Sequence, residues 1–241
     1  MLNFDYKICN LNNYLDAESI SKLNLLVSEF NPDLSRVKSN LGFLQWSQKV
    51  QDKLIERNPE IHSSIKNNGY LTLENYFTLE SLNNEFGFYH GDYFNFFLSF
   101  AFPELKESGI YDILNLAYRN IIKDVFGKEL KPEYFDTMIS NANIYPKGSF
   151  IKKHQDNDPD GKRLFTILFF VNNDRKMEDG SILKLYTKDG TVDVISDCNQ
   201  AVIIEHQNYN YTHEVTKNLV DDVRYSLYCP FTTEDYNKKL I

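Results

Sequence analysis

Between residues 136 and 231 the chain divides into eight short alternating segments, near 136–145, 150–156, 163–172, 181–187, 191–195, 200–205, 211–216 and 223–231. Apolar and polar residues alternate along several of them, the period of a half-buried strand. Asp158-Pro159-Asp160-Gly161, Asp179-Gly180 and Asp189-Gly190 fall between segments, where tight turns need residues that accept unusual backbone angles. No stretch of helical length separates the strands, and a parallel crossover needs a dozen or more residues, so the strands run antiparallel. Eight short antiparallel strands suit two packed sheets, a double-stranded β-helix or jelly roll.

The N-terminal part reads differently. Residues 16–30 place Ile20, Leu23, Leu26, Val27 and Phe30 near helical spacing, ending at Asn31-Pro32, and a second helix is expected over 41–57, stopped by Asn58-Pro59. A strand follows over 69–77, then a short helix that Thr78 caps, and a further helix over 110–126 that Gly127 ends. The aromatic stretch 86–102 has no clear period. The expected class is mainly β with N-terminal helices (α+β), divided into a helical extension over 1–65 packed on the core and a jelly-roll domain over 66–241.

Three side chains in the strand region have the chemistry of a metal site. His154 and Asp156 are two residues apart, so in a strand both point to one side. His213 comes 57 residues after Asp156, far enough for intervening strands to return it beside them. Two imidazoles and one carboxylate can occupy one triangular face of an octahedral ferrous ion, leaving the opposite positions open. Zinc is the competing occupant of such a set. Arg224 follows His213 by 11 residues and shares a strand face with Ser226 and Tyr228. A buried guanidinium is costly unless an anion meets it, which argues for an acidic ligand inside the barrel. His206 also lies downstream of the His154/Asp156 pair, but no Arg follows it at a matching distance, so His213 is preferred as the distal ligand. His62 and His90 have no carboxylate in register and read as ordinary structural or surface residues.

These residues resemble the prolyl-4-hydroxylase-like branch of the Fe(II)/2-oxoglutarate-dependent oxygenases. The resemblance runs through Tyr145-Pro-Lys-Gly148 into His154-Gln-Asp156, through Arg163 to Asn172, through Asp179-Gly180-Ser-Ile-Leu183, and from His213-Glu-Val215 to Arg224-Tyr-Ser226. It implies that His154, Asp156 and His213 bind Fe(II), and that Arg224 pairs with the distal carboxylate of 2-oxoglutarate, helped by Ser226 and Tyr145. O₂ is the second cosubstrate, and ascorbate enters as an optional reductant. Asp156 itself implies hydroxylation, because related halogenases lack a carboxylate there. One departure stands out: many relatives of the hypoxia-factor prolyl hydroxylases have Tyr where this chain has Phe170, so Ser226, Thr166 or Tyr145 is expected to replace the missing hydroxyl.

Composition narrows the function. Hydrophobic content of 42% with 15% aromatic residues fits an ordinary folded protein. A net charge of −8 disfavours a nucleic-acid partner. Cys9, Cys198 and Cys229 are too scattered for a disulfide framework or a cysteine zinc site. No basic region followed by an apolar stretch opens the chain and no 18 apolar residues run together, so no signal peptide or membrane span is expected, and the expected location is cytoplasmic. The oligomeric state is left open, a homodimer included. Arg163 and Asp158 are the candidate substrate contacts. The aromatics Tyr89, Tyr93, Phe94, Phe96 and Phe97 could wall a closed pocket, so a free amino acid or similar small metabolite is the expected substrate. A peptidyl, prolyl-type hydroxylase is the alternative, and a non-catalytic jelly-roll binding protein the remaining class.

Overall fold

A computed structural model describes residues 4–31, 98–100, 103–136, 141–145, 147–148, 150–156, 162–207 and 212–241, with isolated helical positions at 56, 59, 60 and 63. Apart from position 56, the expected helix over 41–57 lies outside the described residues, as do the strand over 69–77, the helix after Thr78, the aromatic cluster at 89–97 and Asp158.

The chain starts with β1 (Tyr6–Asn10) and α1 (Ala17–Glu29). Asp16 caps α1 by accepting from the Ser19 N–H at 2.7 Å, which satisfies one of the helix's orphan donors. β2 (Leu98–Phe100), α2 (Pro103–Glu107) and α3 (Ile110–Phe126) follow. Ile110, Ile113, Leu114, Ala117, Ile121 and Ile122 form the buried stripe of α3, and Gly127 ends the helix in the left-handed conformation. The strand region then gives β3 (Asn141–Tyr145), β4 (Ile151–His154), β5 (Arg163–Phe170), β6 (Leu183–Thr187), β7 (Gly190–Val194), β8 (Gln200–Glu205), β9 (Thr212–Val215) and β10 (Arg224–Thr232). A last helix, α4 (Thr233–Lys239), is opened by a capping box in which Thr232 and Asp235 exchange side-chain and backbone hydrogen bonds.

Two antiparallel sheets result, one of six strands in the order β1-β8-β5-β10-β3-β2 and one of four in the order β4-β9-β6-β7. From β3 onwards the chain passes back and forth between them: β3, β5, β8 and β10 lie in the larger sheet, β4, β6, β7 and β9 in the smaller. That alternation is the jelly roll expected from the strand count. β1 was not anticipated; it extends the larger sheet by pairing with β8, from Tyr6 opposite Ile204 to Asn10 opposite Gln200.

Strand alternation sends each face of the larger sheet into a different apolar layer. Phe165, Ile167 and Phe169 of β5 pack with Leu23 and Val27 of α1 and the buried stripe of α3. Leu168 and Phe170 point the other way, between the sheets, with Tyr145, Val202, Ile204, Leu183, Leu185 and Val215. The candidate site residues belong to this second layer. Among the described residues, no helix is long and apolar enough to cross a membrane.

Candidate metal centre

Pairing of β4 with β9 sets His154 directly opposite His213, with ring centroids 4.3 Å apart. The register shifts between Ile151 and His154, an irregularity of the kind that re-aims a side chain. The strand ends at His154, so Asp156 sits just beyond it and not within it as a strand over 150–156 would have placed it, yet still on the same side. Its Oδ1 lies 3.5 Å from His154 Nε2 and 3.8 Å from His213 Nε2. The three candidate ligand atoms lie within 4.8 Å of one another. Donors on one face of an octahedral ion, at bond lengths of about 2.1 Å, lie roughly 3 Å apart, so a small inward closure would complete the set.

The charge of Asp156 suits this role. Burial opposes it, but the neighbouring imidazoles of His213, His154 and His206 more than offset that cost and hold the carboxyl below the usual aspartate range. His206 thus lies beside the candidate ligand set without belonging to it. Its Nε2 is 3.9 Å from Asp156 Oδ2 and 2.8 Å from Thr166 Oγ1. The sequence carried a signal for this: in strand phase Val202, Ile204 and His206 fall on one face, and the first two line the layer between the sheets.

Arg224 opens β10 and is 1% exposed. It donates from Nε to Ser196 Oγ at 2.6 Å and from a terminal nitrogen to Ser226 Oγ at 3.5 Å. Its guanidinium carbon lies 4.4 Å from the centre of the Tyr145 ring and 5.3 Å from that of Phe170. Among the described residues no carboxylate pairs with it. Burial pulls its pKa down and the Tyr145 phenol opposes that, while burial pushes the phenol up against the pull of Arg224. A buried cation among hydroxyls and aromatic faces fits a ligand carboxylate.

The structure brings Tyr145 and Ser226 together with Arg224, and adds Ser196, which no sequence pattern marked. Thr166 does not join them. Its partner strand position is Pro230, whereas Phe170 is opposite Ser226, so Thr166 lies towards Asp156 and its hydroxyl goes to His206. Arg163, at the start of β5, is beside the metal centre: its NH1 is 3.6 Å from Asp156 Oδ2. Tyr228, four residues along β10 from Arg224, donates to the same oxygen at 3.5 Å. Four strand residues span about 13 Å, a separation that an arginine side chain and a five-carbon diacid can bridge together.

The loop joining His213 to Arg224 is pinned by residues the sequence did not single out. Asn218, fully buried, donates to the carbonyls of Tyr145 at 2.9 Å and Asp222 at 2.8 Å. Arg175 donates to Asn218 Oδ1 at 3.0 Å and to the Asp222 carbonyl at 3.1 Å. Gly180 has a φ of 72°, and a Cβ there would come 1.9 Å from the Lys217 carbonyl oxygen.

Residues 140–231 match the model of the 2OG-Fe(II) oxygenase superfamily. No curated protein matches the chain in sequence. In fold it is similar to a Trichoplax adhaerens prolyl hydroxylase solved in complex with a hypoxia inducible factor oxygen degradation domain peptide fragment, with a TM-score of 0.54 and 13% identity over 97% of this chain and 86% of that one. It is similar also to a Pseudomonas putida prolyl-4-hydroxylase, with a TM-score of 0.53 and 15% identity over 95% and 94% of the two chains. The family uses Fe(II), 2-oxoglutarate and O₂, and the donor set and the buried arginine fit the first two. Over its strand region, residues 140–231, this chain is thus similar to the 2OG-Fe(II) oxygenase superfamily, on a fold similar to that of the two prolyl hydroxylases.

Proposed function

We propose that this chain is a dioxygenase that hydroxylates an unactivated C–H bond of a prolyl peptide. His154, Asp156 and His213 would hold Fe(II), and Arg224, with Ser226 and Tyr145, the distal carboxylate of 2-oxoglutarate. With iron bound, 2-oxoglutarate and O₂ supply the oxidation: one oxygen atom enters the substrate as hydroxyl, the other leaves in succinate, and CO₂ is released. This chain's residues bind and orient. The Asp156 carboxylate would bring negative charge to the cation, the imidazoles of His154 and His213 would complete its protein ligands, and Arg224 would orient the diacid. The apolar layer of Leu168, Val202, Ile204 and Val215 keeps water from the space between them. Arg163, half-buried at the start of β5, would meet a substrate carbonyl.

The observation that carries the peptide reading is the fold similarity to two prolyl hydroxylases, which spans 95% and 97% of this chain and is not confined to the jelly roll. It moves the preference away from the free amino acid suggested by the sequence and towards the peptidyl alternative. Incubating the protein anaerobically loaded with Fe(II) with 2-oxoglutarate, O₂ and two panels, prolyl peptides and free amino acids, tests this. The expected result is a gain of one oxygen atom on a peptide prolyl residue with stoichiometric succinate. Turnover of a free amino acid with none of any peptide would replace the peptide reading with the metabolite one, and succinate from neither panel would leave the site without its proposed chemistry.

A further inference from the structure

The two oxygens of Asp156 have different surroundings. Oδ1 faces the candidate ligand nitrogens of His154 and His213. Oδ2 is turned to three polar groups from three separate elements: the Tyr228 hydroxyl of β10, which donates to it at 3.5 Å, and at longer range the Arg163 guanidinium of β5 at 3.6 Å and the His206 imidazole just past β8 at 3.9 Å. Thr166, fully buried on β5, sits 2.8 Å from the same His206 nitrogen and fixes where the ring lies. Arg163 lies over the Tyr228 ring, 5.6 Å from its centre, so two of these groups also brace each other. A carboxylate can ligate a cation through one oxygen or both. Using both would consume one of the positions that the diacid and O₂ require.

We propose that His206, Arg163 and Tyr228 are positioning residues that hold Oδ2 of Asp156 away from the metal, so that the aspartate ligates through Oδ1 alone, with Thr166 orienting His206. The proposal rests on the reading of His154, Asp156 and His213 as the metal ligands. It gives His206, which the ligand set does not use, a defined role. With Arg163 and Tyr228, His206 surrounds the outer oxygen, the kind of arrangement by which outer partners orient a ligand and tune its affinity.

Co(II) titration of the full chain, followed by the visible ligand-field spectrum under argon, tests it without turnover. His206→Leu and Tyr228→Phe should each weaken Co(II) binding by roughly 10-fold or more, within the range for loss of such outer partners, and should change the shape of the Co(II) band. His206→Gln, which returns a side-chain N–H near the lost nitrogen, should recover most of both. Tyr228→Phe removes a single oxygen and so reports even if His206→Leu does not fold. Asp156→Ala is the reference that must lose binding. If Asp156→Ala loses Co(II) while Tyr228→Phe and a folded His206→Leu keep the parent affinity and spectrum, the outer cage has no role and the ligand assignment stands. If Asp156→Ala binds like the parent, the ligand assignment itself falls, and the cage with it.

Discussion

Burying Arg224 to 1% exposure beside two serines, a tyrosine and a phenylalanine is costly unless an anion arrives, and that cost is the link between its position and the role proposed for it. Truncating one partner of a buried charged pair costs about 2–5 kcal/mol. Arg224→Ala should therefore raise the 2-oxoglutarate constant by roughly 30-fold or more, measured by succinate release or calorimetry, and an unchanged constant would show that the diacid binds elsewhere. Arg224→Lys should recover little, because an ammonium lacks the planar fork that meets a carboxylate with two bonds. At the other end of the site, His213→Ala should lose Fe(II) affinity far more than His206→Gln does. Equal losses in the two would mean that the wrong imidazole has been taken as the ligand. Phe170→Tyr places a hydroxyl beside the same guanidinium, and tighter 2-oxoglutarate binding in that variant would mean that Ser226 and Tyr145 do not fully replace it.

At the level of elements, the loop between β9 and β10 decides whether His213 and Arg224 hold their spacing. Asn218 and Arg175 satisfy its carbonyls, and Gly180 lets the neighbouring turn approach it closely. Gly180→Ala combines a positive φ with a Cβ placed against the Lys217 carbonyl, whereas Gly127→Ala, also at positive φ, meets nothing within 4 Å. Left-handed strain alone costs about 1–2 kcal/mol. For a chain of this size that is a Tm loss of roughly 2–8 °C, the loss expected for Gly127→Ala. Gly180→Ala should lose more and also bind 2-oxoglutarate more weakly; equal Tm losses in the two glycine variants would mean that the loop simply yields. The capping box at α4 gives a smaller effect, Thr232→Ala costing about 1 kcal/mol without altering cosubstrate binding.

Across the whole molecule, β1 and α3 are tied by Lys7, which meets Asp124 at 2.5 Å, and by the Tyr14 hydroxyl, which donates to the same carboxylate at 2.9 Å. Those hydrogen bonds hold the Asp124 carboxyl below its ordinary range. A depressed carboxyl stabilises the fold above its unfolded pKa, near ~3.9, and that contribution is lost as pH falls through the lower folded value. Asp124→Asn should accordingly lower Tm at neutral pH, with the gap to the parent narrowing below pH ~4; a gap that persists in acid would assign the effect to packing. The pair is partly exposed, so the effect should be modest and should shrink in salt. How much of the molecule was legible in its sequence follows from what is local. Strand alternation and turn residues located all eight strands from β3 to β10, helical spacing located α1 and α3, and the His154/Asp156 pair stood out at i, i+2, because each is a property of a few neighbouring residues; His213 needed a distant spacing and a family resemblance. β1 was missed, being a five-residue edge strand whose place in the sheet depends on pairing with β8, far along the chain. Ser196 at Arg224, Asn218 and Arg175 under the loop, and the turn of Thr166 and His206 towards Asp156 were missed for the same reason. The sequence by itself determined which side chains face inward and which can bind a metal. The pairing of strands from distant parts of the chain alone decided which of those side chains meet, because hydrogen-bond register between strands is a relation between segments and not a property of either one.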